Sequence, residues 1–529
     1  MVIIEGKGCR NAMLAVAILQ AIIAYSTAYA AQFTSTLTRD RDPVVITGSQ
    51  LPDFNGIAPG RIVGFRFRNT WQQIPVQIDE RKYVDFAQVY NYPPQLPVGV
   101  EILSYTDPNT YVGPDNNPNF DSNDELVFMS KDTGDRAFCI DNLPESVLPA
   151  TGLELEIRDT LDNGEGFVYL FQTDGNLTPD ANQDYVSYTF DLLAGEYPDD
   201  YDLAYGPNPE NSQAASIYYR THFSDRWVCN ELNIFAGSST GDDILDRHKN
   251  MFAPGNCTRT ENTFSNGEGA FFVNKDGPVR AIRSYMGANS GPVTQREHLF
   301  YQQRQDVTTF LRVHAISGVM DLYDYSPDAG SMTYYNNLNQ SGVTVDGQPE
   351  SLVAGPLAWE MVTGRQGTLV ISHSIYTDIN PFTYTSYYSD DITPGVTQCT
   401  GDNFEYATSG QWINHNIPNT DPYLVDPNVF NAKRTVYYEE PNQLPSIAAT
   451  RHQQAQTPLQ VTVYPFLLCP ADLNNNGNVD VRDWAVFAQN WLNSGCTYPD
   501  WCNCADLNRS ATVDTQDLDA LSENWLWSI

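Results

Sequence analysis

The sequence predicts a mainly β protein, with an antiparallel β-sandwich body and a small all-α module at the C-terminus. Two observations lead to this prediction. Residues 31 to about 465 show little helical periodicity, and their short alternating runs are separated by stretches rich in Asn, Asp, Gly and Pro, which is typical of antiparallel sheets. From residue 469 onwards, apolar residues recur at helical spacing instead.

Several strands of the body can be predicted individually. Residues 65–68 (Phe-Arg-Phe-Arg) alternate strictly, and residues 72–79 place three aliphatic side chains on one face, with Pro75 indicating an edge strand. A later strand is predicted over residues 308–316. The polar loop at residues 162–166 suggests a boundary near residue 160. We therefore expect an N-terminal β domain (31–160), a larger β-sandwich domain (161–465) and the C-terminal module (469–529).

The first thirty residues have the pattern of an export signal. Lys7 and Arg10 precede an apolar run over residues 12–24, and residues 28–30 (Ala-Tyr-Ala) have the small-x-small form that signal peptidase requires. This run is short for a bilayer span, and no apolar run of about eighteen or more residues follows it. We expect a protein that is secreted or on the cell surface. With 65 acidic residues against 29 basic ones, nucleic acid is excluded as a partner.

The cysteines after the leader indicate disulfides, because their count is even and no thiol pool keeps an exported protein reduced. They are Cys139, Cys229, Cys257, Cys399, Cys469, Cys496, Cys502 and Cys504. We expect the last four to pair among themselves and Cys229 to pair with Cys257. A zinc site is the alternative for the last four, but Cys502 and Cys504 lack the two-residue gap of a zinc knuckle.

An internal repeat occupies the C-terminal region. Residues 472–483 recur 34 residues later as residues 506–517. Each copy has oxygen-bearing side chains at alternating loop positions and at position 12, which is how a twelve-residue loop surrounds a cation of the size of calcium. The predicted Ca²⁺ ligands are Asp472, Asn474, Asn476, Asn478, Asp480 and Asp483 in the first loop, and Asp506, Asn508, Ser510, Thr512, Asp514 and Asp517 in the second, with position 7 able to contribute a backbone carbonyl.

Each predicted loop is followed by an amphipathic helix. Apolar residues recur at helical spacing after both loops, and residues 490–492 (Asn-Trp-Leu) reappear as residues 524–526. Neither helix can bury its apolar face alone, so we expect the two units to pack against each other.

This repeat resembles the type I dockerin module, which is found at the C-terminus of many bacterial polysaccharide-degrading enzymes and scaffold-associated proteins. The resemblance rests on D-x-N-x-N-G-x-V-D-x-x-D followed by a helix that ends in Trp-Leu, and it covers residues 469–529. It implies that loop positions 10 and 11, which are Val481, Arg482, Thr515 and Gln516, face a cohesin-like partner. The alternative is a calcium-stabilised cap on the C-terminus with no docking role.

The second loop departs from the pattern at two positions. Ala511 stands where glycine usually provides a positive φ angle, and Ser510 replaces a stronger side-chain ligand. We therefore expect two calcium sites, the second weaker than the first. An acidic loop at residues 115–125 also has many oxygen ligands, but it contains a proline and no glycine, so a solvated turn into a strand is favoured there.

The body carries no nucleotide-binding, nucleophile-elbow or zinc-protease motif. Its most concentrated chemistry is in residues 275–315, which hold six of the 29 basic residues of the chain and are followed by Asp321, Asp324 and Tyr325. There, arginines could bind an acidic sugar, and His or Tyr could transfer protons. The candidate catalytic residues are Arg296, His298, Tyr301, Arg312 and His314. In the alternative interpretation these arginines pair with acidic residues and the tyrosines pack in the core.

Three functional hypotheses follow from the sequence. The first is a secreted modular calcium-binding protein that binds or handles extracellular polysaccharide. The second is a polysaccharide-degrading enzyme, a lyase or a glycoside hydrolase. The third is a structural cell-surface protein. A cleft that brings the five candidate residues together favours the enzyme, whereas a structure that separates them favours binding or a structural role.

Overall fold

The computed structural model describes residues 34–89, 99–140, 142–194, 204–205, 208–254, 257–264, 268–289, 291–393, 399–498 and 500–528. The predicted export signal lies outside these residues. In the described part of the chain the protein is mainly β, and its sheets are built from antiparallel pairs. No helix in these ranges is both long enough and apolar enough to cross a bilayer.

In chain order, the strands are β1 (Pro43–Thr47), β2 (Ile62–Arg68), β3 (Thr70–Ile74), β4 (Gln77–Asp79), β5 (Arg81–Asp85), β6 (Glu101–Tyr105), β7 (Glu125–Met129), β8 (Leu153–Arg158), β9 (Glu165–Gln172), β10 (Ser187–Thr189), β11 (Ala204–Tyr205), β12 (Ser212–Ala215), β13 (Tyr219–Asp225), β14 (Val228–Ile234), β15 (Leu245–Phe252), β16 (Glu268–Lys275), β17 (Ala281–Ala288), β18 (Gly291–Phe300), β19 (Arg304–Phe310), β20 (Val319–Tyr325), β21 (Thr333–Asn336), β22 (Asn339–Thr344), β23 (Trp359–Gly364), β24 (Gly367–Thr377), β25 (Thr385–Asp391), β26 (Glu405–Ile413), β27 (Phe430–Glu439) and β28 (Gln460–Pro465). The helices are α1 (Phe86–Val89), α2 (Glu261–Phe264), α3 (Pro445–Gln456), α4 (Val481–Asn490) and α5 (Thr515–Glu523).

The N-terminal unit is a sandwich of two sheets. One sheet has the order β1-β7-β4, and the other has the order β28-β8-β9-β2-β3. Their facing sides bury a common aliphatic and aromatic core that includes Ile46, Phe128, Leu155 and Val168. Such burial is the main favourable contribution to the stability of a sandwich. A separate two-stranded ribbon, β5-β6, extends from this unit towards the rest of the body.

The predicted boundary near residue 160 does not separate two folding units. It falls in the turn between β8 and β9, which pair along residues 153–158 and 165–170. The opposite edge of β8 pairs with β28, which comes from the far end of the body. The N-terminal unit is therefore completed by a segment that follows the larger unit in sequence, and this long-range pairing leaves no local signal in the sequence.

Two predicted strands also have different limits in the structure. The strand at residues 72–79 is divided, since β3 ends at Ile74 and β4 begins at Gln77 in the opposite sheet. The chain crosses the core at Pro75 and Val76, so Ile74 at the end of β3 and Val76 just before β4 are both buried. The strand predicted over residues 308–316 ends at Phe310.

The larger unit is organised around a ten-stranded sheet with the order β11-β16-β17-β18-β19-β27-β24-β23-β21-β22. Two four-stranded sheets, β10-β12-β13-β14 and β15-β20-β26-β25, cover one face of it and bury aromatic residues such as Tyr219, Phe300 and Tyr438. The N-terminal unit and α3 cover the other face, where Met129 packs with Tyr301 and Ala448 packs with Tyr437. The sheet is thus the middle layer of the body.

The disulfides differ from the predicted pairs. Cys139 pairs with Cys469, Cys257 with Cys399, and Cys496 with Cys502. Cys229 and Cys504 are free thiols. The prediction of a Cys229–Cys257 bridge was wrong, because the Sγ of Cys229 lies beside Thr221 within the β13–β14 pair, at 3.2 Å from Oγ1. Of the last four cysteines, only Cys496 and Cys502 pair with each other.

Candidate functional site

The two C-terminal loops have the same local geometry. The side chain of Asp480 caps α4 by accepting a hydrogen bond from the backbone N–H of Arg482, and Asp514 caps α5 in the same way through Gln516. Both caps are capping boxes, in which the residue at position 12 of the loop accepts a bond from the backbone of the cap residue. Each loop is therefore anchored directly to the start of the helix that follows it.

The carboxylates at loop positions 1 and 12 organise the first loop from inside. Asp472 accepts hydrogen bonds from the backbone N–H groups of Asn476 (3.0 Å) and Gly477 (2.7 Å). Asp483 accepts backbone bonds from Asn474 (3.0 Å) and Asp480 (2.8 Å). The loop thus curls around two carboxylates, which places their oxygens at its centre.

The second loop repeats this arrangement at matching distances. Asp506 accepts from the backbone of Ser510 at 2.9 Å, and Asp517 accepts from Asn508 at 3.0 Å and from Asp514 at 2.8 Å. Asp483 and Asp517 are fully buried, and Asp506 is nearly so. Burial, followed by the charges of Asp506 and Asp514, raises the pKa of Asp517 to about 6.

The two loops have similar backbone φ angles even at the position where one has glycine and the other alanine. Gly477 has a φ angle of 85°, and Ala511, at the same loop position, has a φ angle of 72°. Two residues earlier, Asn475 and Arg509 are also in the left-handed region, at 53° and 57°. Alanine is strained in this conformation and glycine is not, so the second loop keeps its shape at a cost in stability.

Short backbone bridges tie each loop to the segment that follows the other helix. The N–H of Val479 donates to the carbonyl of Trp527, and the N–H of Leu526 donates back to Val479. The N–H of Leu492 likewise donates to the carbonyl of Val513, which in turn donates to Asn493. This reciprocal pairing has approximate two-fold symmetry. The predicted face-to-face packing of the two units is present, around a core that includes Val479, Phe487, Val513 and Leu521.

The predicted calcium ligands fit a hard divalent cation by their chemistry. In the first loop they are carboxylate, amide and carbonyl oxygens, and the second loop adds the hydroxyls of Ser510 and Thr512; oxygen is the ligand type that calcium prefers. The clustered acids of the second loop also raise one another's pKa, and a cation would relieve this repulsion. The amide of Asn474 at present donates to Asp483 at 2.7 Å, so ion binding would turn its oxygen inward.

The module is attached to the N-terminal unit through the second loop. The guanidinium group of Arg509 lies 2.8 Å from Glu154 and 3.3 Å from Glu156, and stacks over the ring of Tyr464. Arg136 approaches from the other side and donates to the carbonyl of Leu507 at 2.7 Å. With the Cys139–Cys469 disulfide, these contacts join the module and the body at several points.

The positions that the dockerin resemblance assigns to a partner are accessible. Val481, Arg482, Thr515 and Gln516 are all exposed at the starts of α4 and α5. Val481 is 66% exposed, which is high for an aliphatic residue.

The five candidate catalytic residues of the body do not form one cleft. Arg296 and His298 point from β18 towards the four-stranded sheets, whereas Tyr301 lies on the opposite side, where its hydroxyl is 3.4 Å from Arg280. Arg312 packs over Phe86 and Phe310, and the exposed His314 bonds only to a neighbouring carbonyl among the described residues. The structure therefore separates the five candidates, because alternate residues of a strand face opposite sides of a sheet.

Tyr301 lines a cavity of about 270 Å³ between the N-terminal unit, the ten-stranded sheet and α3. Its charged residues are already paired, for example Arg304 with Asp306 at 2.8 Å and Arg280 with Glu125 at 2.7 Å. The pairs of Arg280 with Glu125 and of Arg304 with Asp42 join the two units across the cavity, so a structural role accounts for them.

Arg296 instead belongs to a buried polar cluster between two sheets. Asn250, Asp321 and Gln411 are directly opposite one another on β15, β20 and β26, and form a polar row that faces the ten-stranded sheet. From that sheet, Arg296 donates to Asn250 at 2.7 Å and to Asp321 at 3.3 Å. Arg434 donates to the other oxygen of Asp321 at 3.1 Å. A polar row at a sheet interface is unfavourable for packing alone, which marks it as a candidate site.

The electrostatics of the cluster keep Asp321 charged. Burial opposes ionisation, but Arg434 and Arg296 outweigh it and hold the pKa of Asp321 well below its usual range. His248 lies 2.7 Å from the same carboxylate. Burial, and then the charge of Arg434, lower the pKa of His248 to about 3, so the imidazole is neutral. The cluster therefore combines one carboxylate, two arginines and a neutral histidine.

The sequence analysis identified Arg296 as a candidate and noted Asp321, but it did not identify the other residues of the cluster. His248, Asn250, Gln411 and Arg434 lie on three different strands that are far apart in the chain. Asp321 was noted as part of the same polar region, but nothing local connects it to the others. Only the strand register could have revealed the row, and the sequence does not contain that information directly.

Comparisons with known proteins add little to this picture. No protein-family model matches the chain, and no curated protein matches it. Two solved structures are similar in part. A putative aldose 1-epimerase from Escherichia coli K12 aligns at 10% identity over 48% of this chain and 99% of that chain, with a TM-score of 0.26. The Slr1438 protein from Synechocystis sp. PCC 6803 aligns at 10% identity over 45% and 99%, with a TM-score of 0.27. Similarity at this level carries no functional argument.

Proposed function

We propose that this is an exported modular protein that binds two calcium ions through residues 472–483 and 506–517 and docks through this module onto a cohesin-like partner. Its β body is proposed to bind extracellular carbohydrate. The observation that carries the proposal is the pair of loops with matching geometry, each curled around carboxylates at positions 1 and 12.

Two further features support docking over a simple cap. The residues at positions 10 and 11 lie at the starts of the two helices, and all four are exposed. The residues of the second loop that contact the body, Leu507 and Arg509, are at positions 2 and 4. The contact with the body thus leaves the proposed docking surface open.

The body fits carbohydrate binding better than hydrolysis. A glycoside hydrolase needs two carboxylates on either side of the scissile bond. Within the described residues, the polar cluster around Arg296 provides one carboxylate, Asp321, and it is held by two arginines and His248. Such a carboxylate is a fixed hydrogen-bond acceptor, which suits recognition of ligand hydroxyl groups.

The calcium proposal is tested by calorimetric titration of CaCl₂ into the full chain. We expect two binding events, the weaker one at residues 506–517. Asp483→Ala should abolish one event and Asp517→Ala the other, because each removes a buried carboxylate at loop position 12. Asp500→Ala, an exposed residue between the loops, is the control. No heat of binding at millimolar calcium, or two unchanged events in both variants, would overturn the proposal.

Docking is tested separately, by surface binding of the calcium-loaded chain to a panel of type I cohesin domains. Val481→Asp should weaken binding at least tenfold if the exposed start of α4 contacts the partner, because a charge would be buried there. If no cohesin binds while calcium is taken up normally, the module is a cap and the docking part of the proposal fails.

A further inference from the structure

We propose that a small pocket beside Asp321 is a subsite for the primary alcohol of a neutral hexose. This inference rests on the proposed carbohydrate binding and specifies the sugar class. The pocket has a volume of about 30 Å³ and lies between the β15-β20-β26 strands and the ten-stranded sheet. Its polar residues include Asn250, Arg296, Asp321 and Gln411.

The shape of the pocket selects a small group. A cavity of about 10–15 Å³ holds one water molecule, so this pocket accepts one or two non-hydrogen atoms and excludes a whole sugar ring. Three partly exposed residues among its lining, Thr309, Val319 and Ala432, form the opening, and Phe252 and Leu311 supply apolar walls. A –CH₂OH group matches this form, with its methylene against the walls and its hydroxyl on the polar floor.

The hydrogen-bonding capacity of the floor also matches a hydroxyl group. The Nδ2 of Asn250 and the Nε2 of Gln411 are shielded from water and have no hydrogen-bond partner among the described residues. The bond from Arg296 to the Oδ1 of Asn250 fixes the orientation of that amide. Asp321 offers Oδ2, which accepts only from Arg296 in this part of the chain, and its side chain is 14% exposed.

The polar floor of the pocket, formed by Asn250, Gln411 and Asp321, therefore has two hydrogen-bond donors and one acceptor. A hydroxyl group has the complementary set, one donor and two acceptor lone pairs. Buried donors without partners each cost about 1–3 kcal/mol, so a ligand that satisfies them gains affinity.

Other sugars fit less well. A uronic acid would place a carboxylate against the ionised Asp321 and could not donate a hydrogen bond to it. A pentopyranose such as xylose has no exocyclic –CH₂OH group, so it would leave both amide donors without a partner. The pocket thus discriminates by the group at the sixth carbon of the sugar.

The test is calorimetric binding of the full chain to cellotetraose, mannotetraose and galactotetraose, with xylotetraose and trigalacturonate for comparison. We expect at least one hexose oligomer to bind, and to bind about tenfold or more tightly than its comparison sugars. Gln411→Met removes a donor at similar volume and should weaken hexose binding about three- to tenfold without changing xylotetraose binding. Ala432→Leu should block the opening and weaken hexose binding without removing a hydrogen-bonding group. Gln340→Met, at an exposed position, is the control.

Each result has a defined meaning, once the thermal transition and calcium uptake show that the variants are folded. Unchanged hexose affinity in both pocket variants means that the pocket holds only a structural water. The subsite is then refuted while carbohydrate binding by the body stands. Preference for trigalacturonate refutes the assignment to neutral hexose. Failure of every oligosaccharide to bind the unmodified chain refutes the subsite and carbohydrate binding together, and the calcium titration is unaffected.

Discussion

Replacing Asp321 with Asn should destabilise the body strongly, because it removes the only carboxylate that directly contacts Arg296 and Arg434 in the described structure. The substitution keeps the shape of the side chain and removes its charge. Asp321 now pairs with Arg296 at 3.3 Å, Arg434 at 3.1 Å and His248 at 2.7 Å, and all three partners are at most 5% exposed. Removing one partner from a buried ion pair typically costs about 3–5 kcal/mol.

For a unit of this size, that cost corresponds to a decrease in Tm of roughly 6–15 °C. Urea unfolding followed by tryptophan fluorescence, together with calorimetry, measures it, and Asp328→Asn at an exposed position is the control.

The pKa of Asp321 is depressed in the folded protein, so its contribution is present above its unfolded pKa and is lost as the pH falls through its folded pKa. The difference in the free energy of unfolding between the unmodified protein and Asp321→Asn should therefore become smaller as the pH is lowered below about 3.8, the pKa of an unfolded aspartate. If Asp321→Asn lowers the free energy of unfolding by less than about 1 kcal/mol at pH 7, Arg296 and Arg434 do not need this carboxylate as a charge partner, and the reasoning is refuted.

Three other changes have predictable effects. Ala511→Gly should relieve the strain of a φ angle of 72° and tighten calcium binding at the second loop about fivefold, as measured by calorimetry, with no change at the first. Arg509→Met should leave Glu154 with one arginine instead of two and lower the stability of the contact between module and body by about 2 kcal/mol, which hydrogen exchange at β8 and β28 would detect. Glu297→Gln should stabilise the protein at pH 8 by about 2–3 kcal/mol in urea unfolding. Burial, and then the charge of Glu125, raise the pKa of Glu297 to about 7, so its ionised form opposes folding above that pH, and the gain should vanish below about pH 4.5.

The C-terminal module was the part most accessible to sequence reasoning. The proposed calcium ligands of each loop lie within twelve consecutive residues, so their alternation and the helical spacing that follows can be read directly along the chain. Even the strain at Ala511 was predictable, since the loop position fixes the sign of φ. The contact of Arg509 with Glu154 was not predictable, because the two residues are brought together by the fold of the whole body.

The body was predicted at the level of fold class only. Alternation indicated antiparallel strands, but it could not show that β28 completes the N-terminal sheet or which strands lie beside β20. The polar row needs three strands in register, so Asn250 and Gln411 looked like ordinary polar residues in the sequence. Arg296 and Tyr301 were grouped because they are close in the chain, whereas the sheet places them on opposite sides.

The attachment of the module has a consequence for how the protein would be displayed. Cys139 and Cys469 join the chain just before the first loop to the N-terminal unit, and Arg509 holds the second loop against the same surface. In many modular proteins a flexible linker connects the domains, so their relative orientation varies. Here a partner bound to the starts of α4 and α5 would hold every copy of the body in the same orientation relative to itself.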